Sequence, residues 1–465
     1  MVFSSLSFLL GFLPLVVVVH GCLPGTRARN LWLLLVSLGF VGWSDTSALW
    51  TMLAVIGVAT VGGLAASHVD DRVRRSGTTA AVLLIVLPLL VLKYGAFVLN
   101  TAAEVFDASS WVIDAPALPI GISFFTFQAM AYVIDARRGV GSTRAPPQHV
   151  ALYIALFPQL IAGPIVRFST LADAMVGPRR ARVEEGAARF AIGLAKKVLI
   201  ADTLAVPVDL VFALPPDELS TSLAWFGALA YALQIYFDFS GYSDMAIGLG
   251  RVFGFAFPEN FRHPYRARSI TAFWRRWHIT LSSWFRDYVY IPLGGNRAGR
   301  VRTVVNLLVV FVLCGLWHGA AWTFLVWGLL HGAALGVERL GLGERLGRAP
   351  PLVAHAWTVA ILLTTWVVFR ADDLSAAGHV LSAMAGSTGA AADGLGSVAT
   401  PLTVAALLVG LVAALRPDLD EQGASRRAGP PVLDAARGPA LAGLLVLSAV
   451  SIIASTHHPF IYYRF

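Results

Sequence analysis

Apolar runs of about 17–25 residues, the length of a membrane helix, recur from one end of this sequence to the other. Candidate spans are 5–23, 31–45, 47–66, 79–100, 118–135, 149–165, 187–213, 222–250, 303–319, 321–338, 352–370, 400–415 and 439–456. Those at 149–165 and 303–319 are short or carry Pro and Gly, and re-entrant segments are an alternative there. The reading is all-α: a polytopic bundle of about 11–13 membrane helices or re-entrant segments, forming one domain over 1–465. Composition agrees: 57% of the residues are hydrophobic and 13% charged, where soluble domains carry about 25% charged. The segment from Phe8 to Val19 has no preceding Lys or Arg and no small-x-small site after it, so it is read as a retained first helix and not a signal peptide.

The net charge of +8 does not indicate nucleic acid, because the basic residues are scattered between apolar runs. That distribution fits cytoplasmic connectors facing anionic lipid. Arg27/Arg29, Arg72 to Arg75, Arg137 to Arg144, Arg179 to Arg182, Arg251 to Arg302, Arg339 to Arg348 and Arg426/Arg427 are expected in the cytoplasm. Ser44 to Ser47, Asn100 to Ala117 and Pro215 to Thr221 are expected outside, together with both termini. The two cysteines, Cys22 and Cys314, lie in or beside apolar runs and form no disulfide framework. No internal repeat is visible. The glycine-rich stretch Ala385 to Ala399 and the loop Arg416 to Pro431 read as flexible connectors.

Residues 251–302 depart from this pattern, with ten arginines against two acids, Glu259 and Asp287, interleaved with Phe, Trp and Tyr. Between Ser269 and Tyr290 the spacing predicts one amphipathic helix at the cytoplasmic interface, with Phe273, Trp277, Leu281 and Trp284 on one face and Thr271 as a cap. Two roles are compatible: an arginine loop with interfacial aromatic anchors, and a site for a phosphate-rich ligand.

The stretch 303–338 places His318 and His331 inside apolar surroundings. Gly315 and Gly319 flank His318, and Gly328, Gly332 and Gly336 repeat the four-residue spacing near His331, a pattern that lets helix backbones approach closely. Ionisable groups at membrane depth are functional candidates by default, and a buried imidazole is expected neutral and able to accept a proton. His331 is read as an interhelical hydrogen-bonding group. Cys314 lies one turn before His318, yet nothing marks it as activated, so it is read as structural. Ser243 lacks the second glycine of a nucleophile elbow. Asp238 and Asp244 suit either a carboxylate relay or polar contacts between helices. No zinc spacing, Walker loop or dinucleotide fingerprint is present.

FPQLIAGPIVR (157–167), GLAKKVLIAD (193–202), YFDFSGYSDMAIGLGRVFGF (236–255), PENFRHPYRARSITAFWRRWHITLSSWFRDYVYIPLGGNR (258–297) and GLWHGAAWTFLVWGLLHG (315–332) resemble the membrane-bound O-acyltransferase family. The resemblance is to the bacterial branch of alginate O-acetyltransferases and teichoic-acid D-alanyl transfer proteins. It covers about residues 1–370 plus the closing FIYYRF.

That resemblance implies a bundle around a central funnel or tunnel in a bacterial cytoplasmic membrane. It implies His318 as the catalytic histidine and His278 as the second characteristic one. A cytoplasmic thioester donor, acetyl-CoA, is expected to reach Arg275, Arg276 and Trp277. The acceptor is a hydroxyl of a polysaccharide or of an extracytoplasmic acetyltransferase partner. His318 would then be a general base, with His278, or a Trp or backbone donor near it, stabilising the oxyanion or orienting the thioester. Transfer of D-alanyl from a carrier protein, or acylation of a lipid or small metabolite, is the main alternative. A transporter or flippase is disfavoured by the absence of repeated halves.

Overall fold

A computed structural model describes residues 3–140, 144–387, 394–416 and 431–454, of which 431–437 by their backbone alone. Among them the chain is helical throughout and forms no strand. Four helices are long and apolar enough to cross a membrane: Thr46–Ala66, Asp71–Phe106, Gly299–His318 and Pro351–Arg370. Ser7–Cys22, Leu374–Met384, Pro401–Leu415 and Gly438–Ala454 are apolar but shorter. The chain divides into two compact units, one of residues 1–190 and 243–258, the other of 191–242 and 259–465.

In the first unit the helices Thr46–Ala66, Asp71–Leu89 and Ile122–Arg138 pack together. Asp45 opens the first of them by accepting hydrogen bonds from the Ser47 and Ala48 amides at 2.8 and 3.2 Å, and Asp70 caps the second through Arg72 N–H. These side chains satisfy amides that a helix start leaves unpaired. The run expected over 149–165 is not one span. Helix Pro147–Ala155 stops at Leu156, and Pro158 occupies the first turn of the short helix Phe157–Leu160. The Pro158 nitrogen has no proton to donate into the preceding turn, which is why the run breaks. The Phe157 amide finds the Ser37 hydroxyl instead, at 3.1 Å.

In the second unit the helices Gly299–His318 and Trp322–Val337 form a tight antiparallel hairpin. A Cβ on Gly315 would collide with the Phe324 carbonyl oxygen, and one on Gly328 with that of Phe311. The small-residue spacing is therefore the seam of the hairpin. The segment expected as a possible re-entrant loop at 303–319 belongs to a full 20-residue helix. Pro351–Arg370 packs against Trp322–Val337, and Leu374–Met384, which the apolar runs did not disclose, follows it. The expected Arg426/Arg427 connector and the closing tail lie outside the described residues.

Candidate active site

The expected single helix from Ser269 to Tyr290 is two short helices and a π-turn: Ile270–Trp274, Ile279–Phe285 and Arg286–Tyr290. The first is capped by Ser269, whose hydroxyl accepts from Ala272 N–H at 3.0 Å, and not by Thr271. Thr271 and its neighbour are instead held by a carboxylate from far along the chain. Glu338, itself buried, accepts from Ile270 N at 2.6 Å, from Thr271 N at 3.0 Å and from Thr271 Oγ1 at 2.7 Å. A carboxylate at a helix start is favoured by both the free amides and the helix dipole.

His278 forms the break. Its backbone is left-handed, with φ 41° and ψ 54°, a conformation costing a non-glycine residue about 1–3 kcal/mol unless its surroundings impose it. Asn260 imposes it. The Asn260 carbonyl accepts from Ile279 N at 2.9 Å, and its side-chain Oδ1 accepts from Thr280 N at 3.2 Å and Thr280 Oγ1 at 2.9 Å. The same Oδ1 lies 3.2 Å from His278 Nδ1. Because an amide N–H already donates to it, this atom is an acceptor, and Nδ1 must carry the proton. Nε2 of His278 is then a bare lone pair, buried and without a hydrogen-bond partner among the described residues.

His318 is the last residue of Gly299–His318 and is 4% exposed. Its ring meets Trp317, Trp327 and Phe369 edge-on at centroid distances of 4.9, 5.0 and 5.1 Å. The His278 ring also lies against Trp317, at 5.9 Å, and against Phe239 at 4.6 Å. The fold thus brings both histidines to one indole from segments that are separate in sequence. Trp327 carries a buried indole N–H without an acceptor among the described residues. His331 accepts a hydrogen bond from the Trp274 indole at 3.2 Å, the contact between helices expected for it.

A cavity of about 480 Å³ opens beside this group, lined by Thr271, Trp274, Arg275, Ser282, Arg286, Phe311, Cys314 and Arg339 among others. It is in the size range of small-molecule and cofactor sites. Three arginines line it, and so does Cys314, one helical turn before His318. Trp274 of the cavity lining lies 5.8 Å from Trp327, which in turn meets His318 at 5.0 Å, ring centroid to centroid. Of the residues expected to meet a donor, only Arg275 lines this cavity. Trp277 is buried against Phe261, Phe273 and Trp366. Arg276 is half-buried and its carbonyl accepts from Arg262 N. Arg286 and Arg339 were not among the residues expected to meet the donor. Arg286 stood in the arginine-rich run, but Arg339 comes from a different helix end and carries no local signal.

The other candidates lie elsewhere. Ser243 is buried in the middle of helix Thr221–Val252 and not on a sharp turn. Asp244 pairs with Arg189 (Nε to Oδ1, 2.7 Å), and Asp238 pairs with Lys197 at 2.7 Å.

A helical membrane chain that buries two histidines against one indole, next to an arginine-lined cavity, has the parts of a membrane-embedded transferase. Residues 121–361 match the membrane-bound O-acyltransferase family, and the chain belongs to that family of enzymes. It is 43% identical to a probable alginate O-acetylase of Pseudomonas putida over 392 residues, which is 83% of this chain and 80% of that protein. It is 41% identical over 304 residues to a peptidoglycan O-acetyltransferase of Helicobacter pylori, 58% of each chain. A teichoic acid D-alanyltransferase of Bacillus subtilis is 30% identical over 231 residues, 46% of this chain and 56% of that one.

Proposed function

We propose that this enzyme transfers an acetyl group from acetyl-CoA to a hydroxyl of an extracytoplasmic polysaccharide, directly or through an acetyl-accepting partner protein. The observation that carries the reading is the arginine-lined cavity beside the buried histidines. Coenzyme A bears three phosphates, and guanidinium forks match phosphate oxygens. Arg275 and Arg339 would hold the phosphates, with Arg286, whose Nε and Nη2 donate to Asp287 at 2.7 and 3.1 Å, offering its remaining nitrogen, and with the pantetheine arm directed along the Cys314 side toward His318. The higher identity and coverage of the O-acetyl-transferring relatives favour acetyl over D-alanyl.

His318 acts as general base. It takes the proton of the acceptor hydroxyl as that oxygen attacks the thioester carbonyl. The new C–O bond forms, the C–S bond breaks, and the proton on His318 passes to the departing thiolate. The indole N–H of Trp327, buried without a partner among the described residues, would donate to the oxyanion, because such a donor costs little reorganisation when charge develops. His278, with Nδ1–H committed to Asn260, offers Nε2 only as an acceptor. It therefore orients a donor N–H or O–H and is not an oxyanion donor. The test is transfer of labelled acetyl from acetyl-CoA to membrane-associated polysaccharide by membranes holding the full chain. Incorporation that requires a D-alanyl carrier protein, with none from acetyl-CoA, would overturn the reading.

A further inference from the structure

A second cluster of cations, all within the first unit, takes no part in the chemistry above. The start of helix Gly25–Ser44 and the end of helix Phe168–Val176 are tied together by Thr26 Oγ1 donating to the Gly177 carbonyl at 3.1 Å and Asn30 Nδ2 donating to the Met175 carbonyl at 2.8 Å. Arg179 emerges from that junction. Its guanidinium carbon stacks 4.5 Å from the centre of the Phe255 ring. Gly254, at φ 80°, is needed for this approach, since a Cβ there would come within 2.7 Å of Arg179 Cβ. The stacked guanidinium is held, yet both terminal nitrogens, Nη1 and Nη2, are buried with no hydrogen-bond partner among the described residues.

Its neighbours deepen the imbalance. Arg29 lies within electrostatic reach of Arg179 and donates only Nε, to the Leu23 carbonyl at 3.0 Å. His20, packed edge-on against Phe253 at 5.1 Å, is within reach of both arginines, and its Nε2 is likewise buried and unbonded. No carboxylate pairs with any of the three among the described residues. An uncompensated buried charge is strongly unfavourable, and two like charges brought together add to the cost. Buried unsatisfied groups in native proteins commonly mark a bound water or ion.

We propose that Arg179, Arg29 and His20 bind a phosphate-bearing anion, and that its source is the head group of an anionic phospholipid. Two oxygens of a phosphodiester match the two free nitrogens of the Arg179 fork. The cluster sits at the corner where the apolar helix Ser7–Cys22 ends and helix Gly25–Ser44 begins with Arg27 and Arg29, the level at which a lipid head group lies. Exposed Arg27 and Arg180 flank it in sequence, and basic pockets at such places are suited to anionic lipid. Arg179 and Arg29 are half-buried as whole residues, so a head group needs a local side-chain shift to meet the two covered nitrogens of Arg179.

The experiment uses the full chain, delipidated in a neutral maltoside detergent. Thermal unfolding is followed with added phosphatidylglycerol, phosphatidylcholine or inorganic phosphate. Phosphatidylglycerol is expected to raise the midpoint by several degrees, and phosphatidylcholine and inorganic phosphate to leave it unchanged. Arg179→Gln and Arg29→Gln should each weaken the phosphatidylglycerol response by about tenfold or more in lipid concentration, the scale of a lost charged hydrogen bond. Arg75→Gln, at an exposed position near the start of helix Asp71–Leu89, should not. Should Arg179→Gln fail to accumulate, Arg29→Gln carries the comparison. Inorganic phosphate reproducing the whole shift would overturn the lipid assignment and make the occupant a soluble phosphate. No response to either phosphate source, or equal phosphatidylglycerol responses in all three variants, would overturn the site.

Discussion

At the scale of single residues, His318 and His331 occupy the same hairpin, and the proposed mechanism gives them different roles that substitution can separate. His318 lies in an aromatic cage of Trp317, Trp327 and Phe369. A positioned general base contributes about 10²–10⁴-fold, so His318→Gln should lose that much acetyl transfer at matched protein levels. The glutamine keeps a hydrogen-bonding side chain of similar size, and the Gly315–Gly328 seam beneath it is untouched, so insertion should be normal. His331 accepts one indole hydrogen bond, which the His331→Gln side chain can replace through its oxygen, so that variant should retain substantial activity. Cys314→Ala is the third member of the set. The thiol lines the cavity but no step uses it, and activity within a few-fold of the parent is expected. Loss of transfer in Cys314→Ala, with a trapped acetyl-cysteine in the parent, would replace direct transfer with a covalent route.

Elements rather than residues decide where the sequence was readable. Apolar runs announce helices because lipid offers the backbone no other partner, and the hairpin seam was legible from glycine spacing alone. The arginine-rich segment was not readable in the same way. Its apolar spacing suits one helix, but the break at His278 depends on Asn260, and the start depends on Glu338, 68 residues from Ile270. Partners that distant leave no local trace. The cavity shows the same limit, since Arg275 was singled out with Arg276, and only the fold reveals that the first faces the cavity with Arg286 and Arg339. Arg275→Gln and Arg339→Gln should therefore raise the acetyl-CoA KM with a smaller effect on kcat, whereas Arg276→Gln should leave KM near that of the parent. Equal KM effects at all three positions would mean that the loop acts through its overall charge. A buried ionic knot elsewhere in the same unit holds elements together by a different means. Lys197 Nζ, in the π-turn Lys196–Ala201, lies 2.5 Å from Asp202 and 2.7 Å from Asp238. Lys197→Met would strand two carboxylates and should cost about 3–5 kcal/mol, read as a lower unfolding midpoint in detergent. Adding Asp202→Asn and Asp238→Asn should recover much of that loss.

For the whole molecule, direction across the membrane matters as much as fold, because the proposed reaction brings a cytoplasmic thioester and an external hydroxyl together at His318. The four long apolar helices establish that the chain is built to span, and the sidedness rests on the distribution of Lys and Arg between connectors. Arg300 lies at the start of the helix that ends at His318, and it is exposed. Ser110 is exposed in the base-poor connector between Asn100 and Ala117. If the basic connectors face the cytoplasm, the arginine-lined cavity is supplied from the side where acyl thioesters are made, and helix Gly299–His318 carries its catalytic end away from that side. Cysteine accessibility in whole cells tests this once the exposed native Cys22 is replaced by Ser; buried Cys314 serves as the internal blank. Ser110→Cys should react with a membrane-impermeant maleimide from outside, and Arg300→Cys only after the membrane is opened. External labelling of Arg300→Cys, with Ser110→Cys protected, would invert the molecule and place the donor cavity on the face where no coenzyme A thioester is available to it.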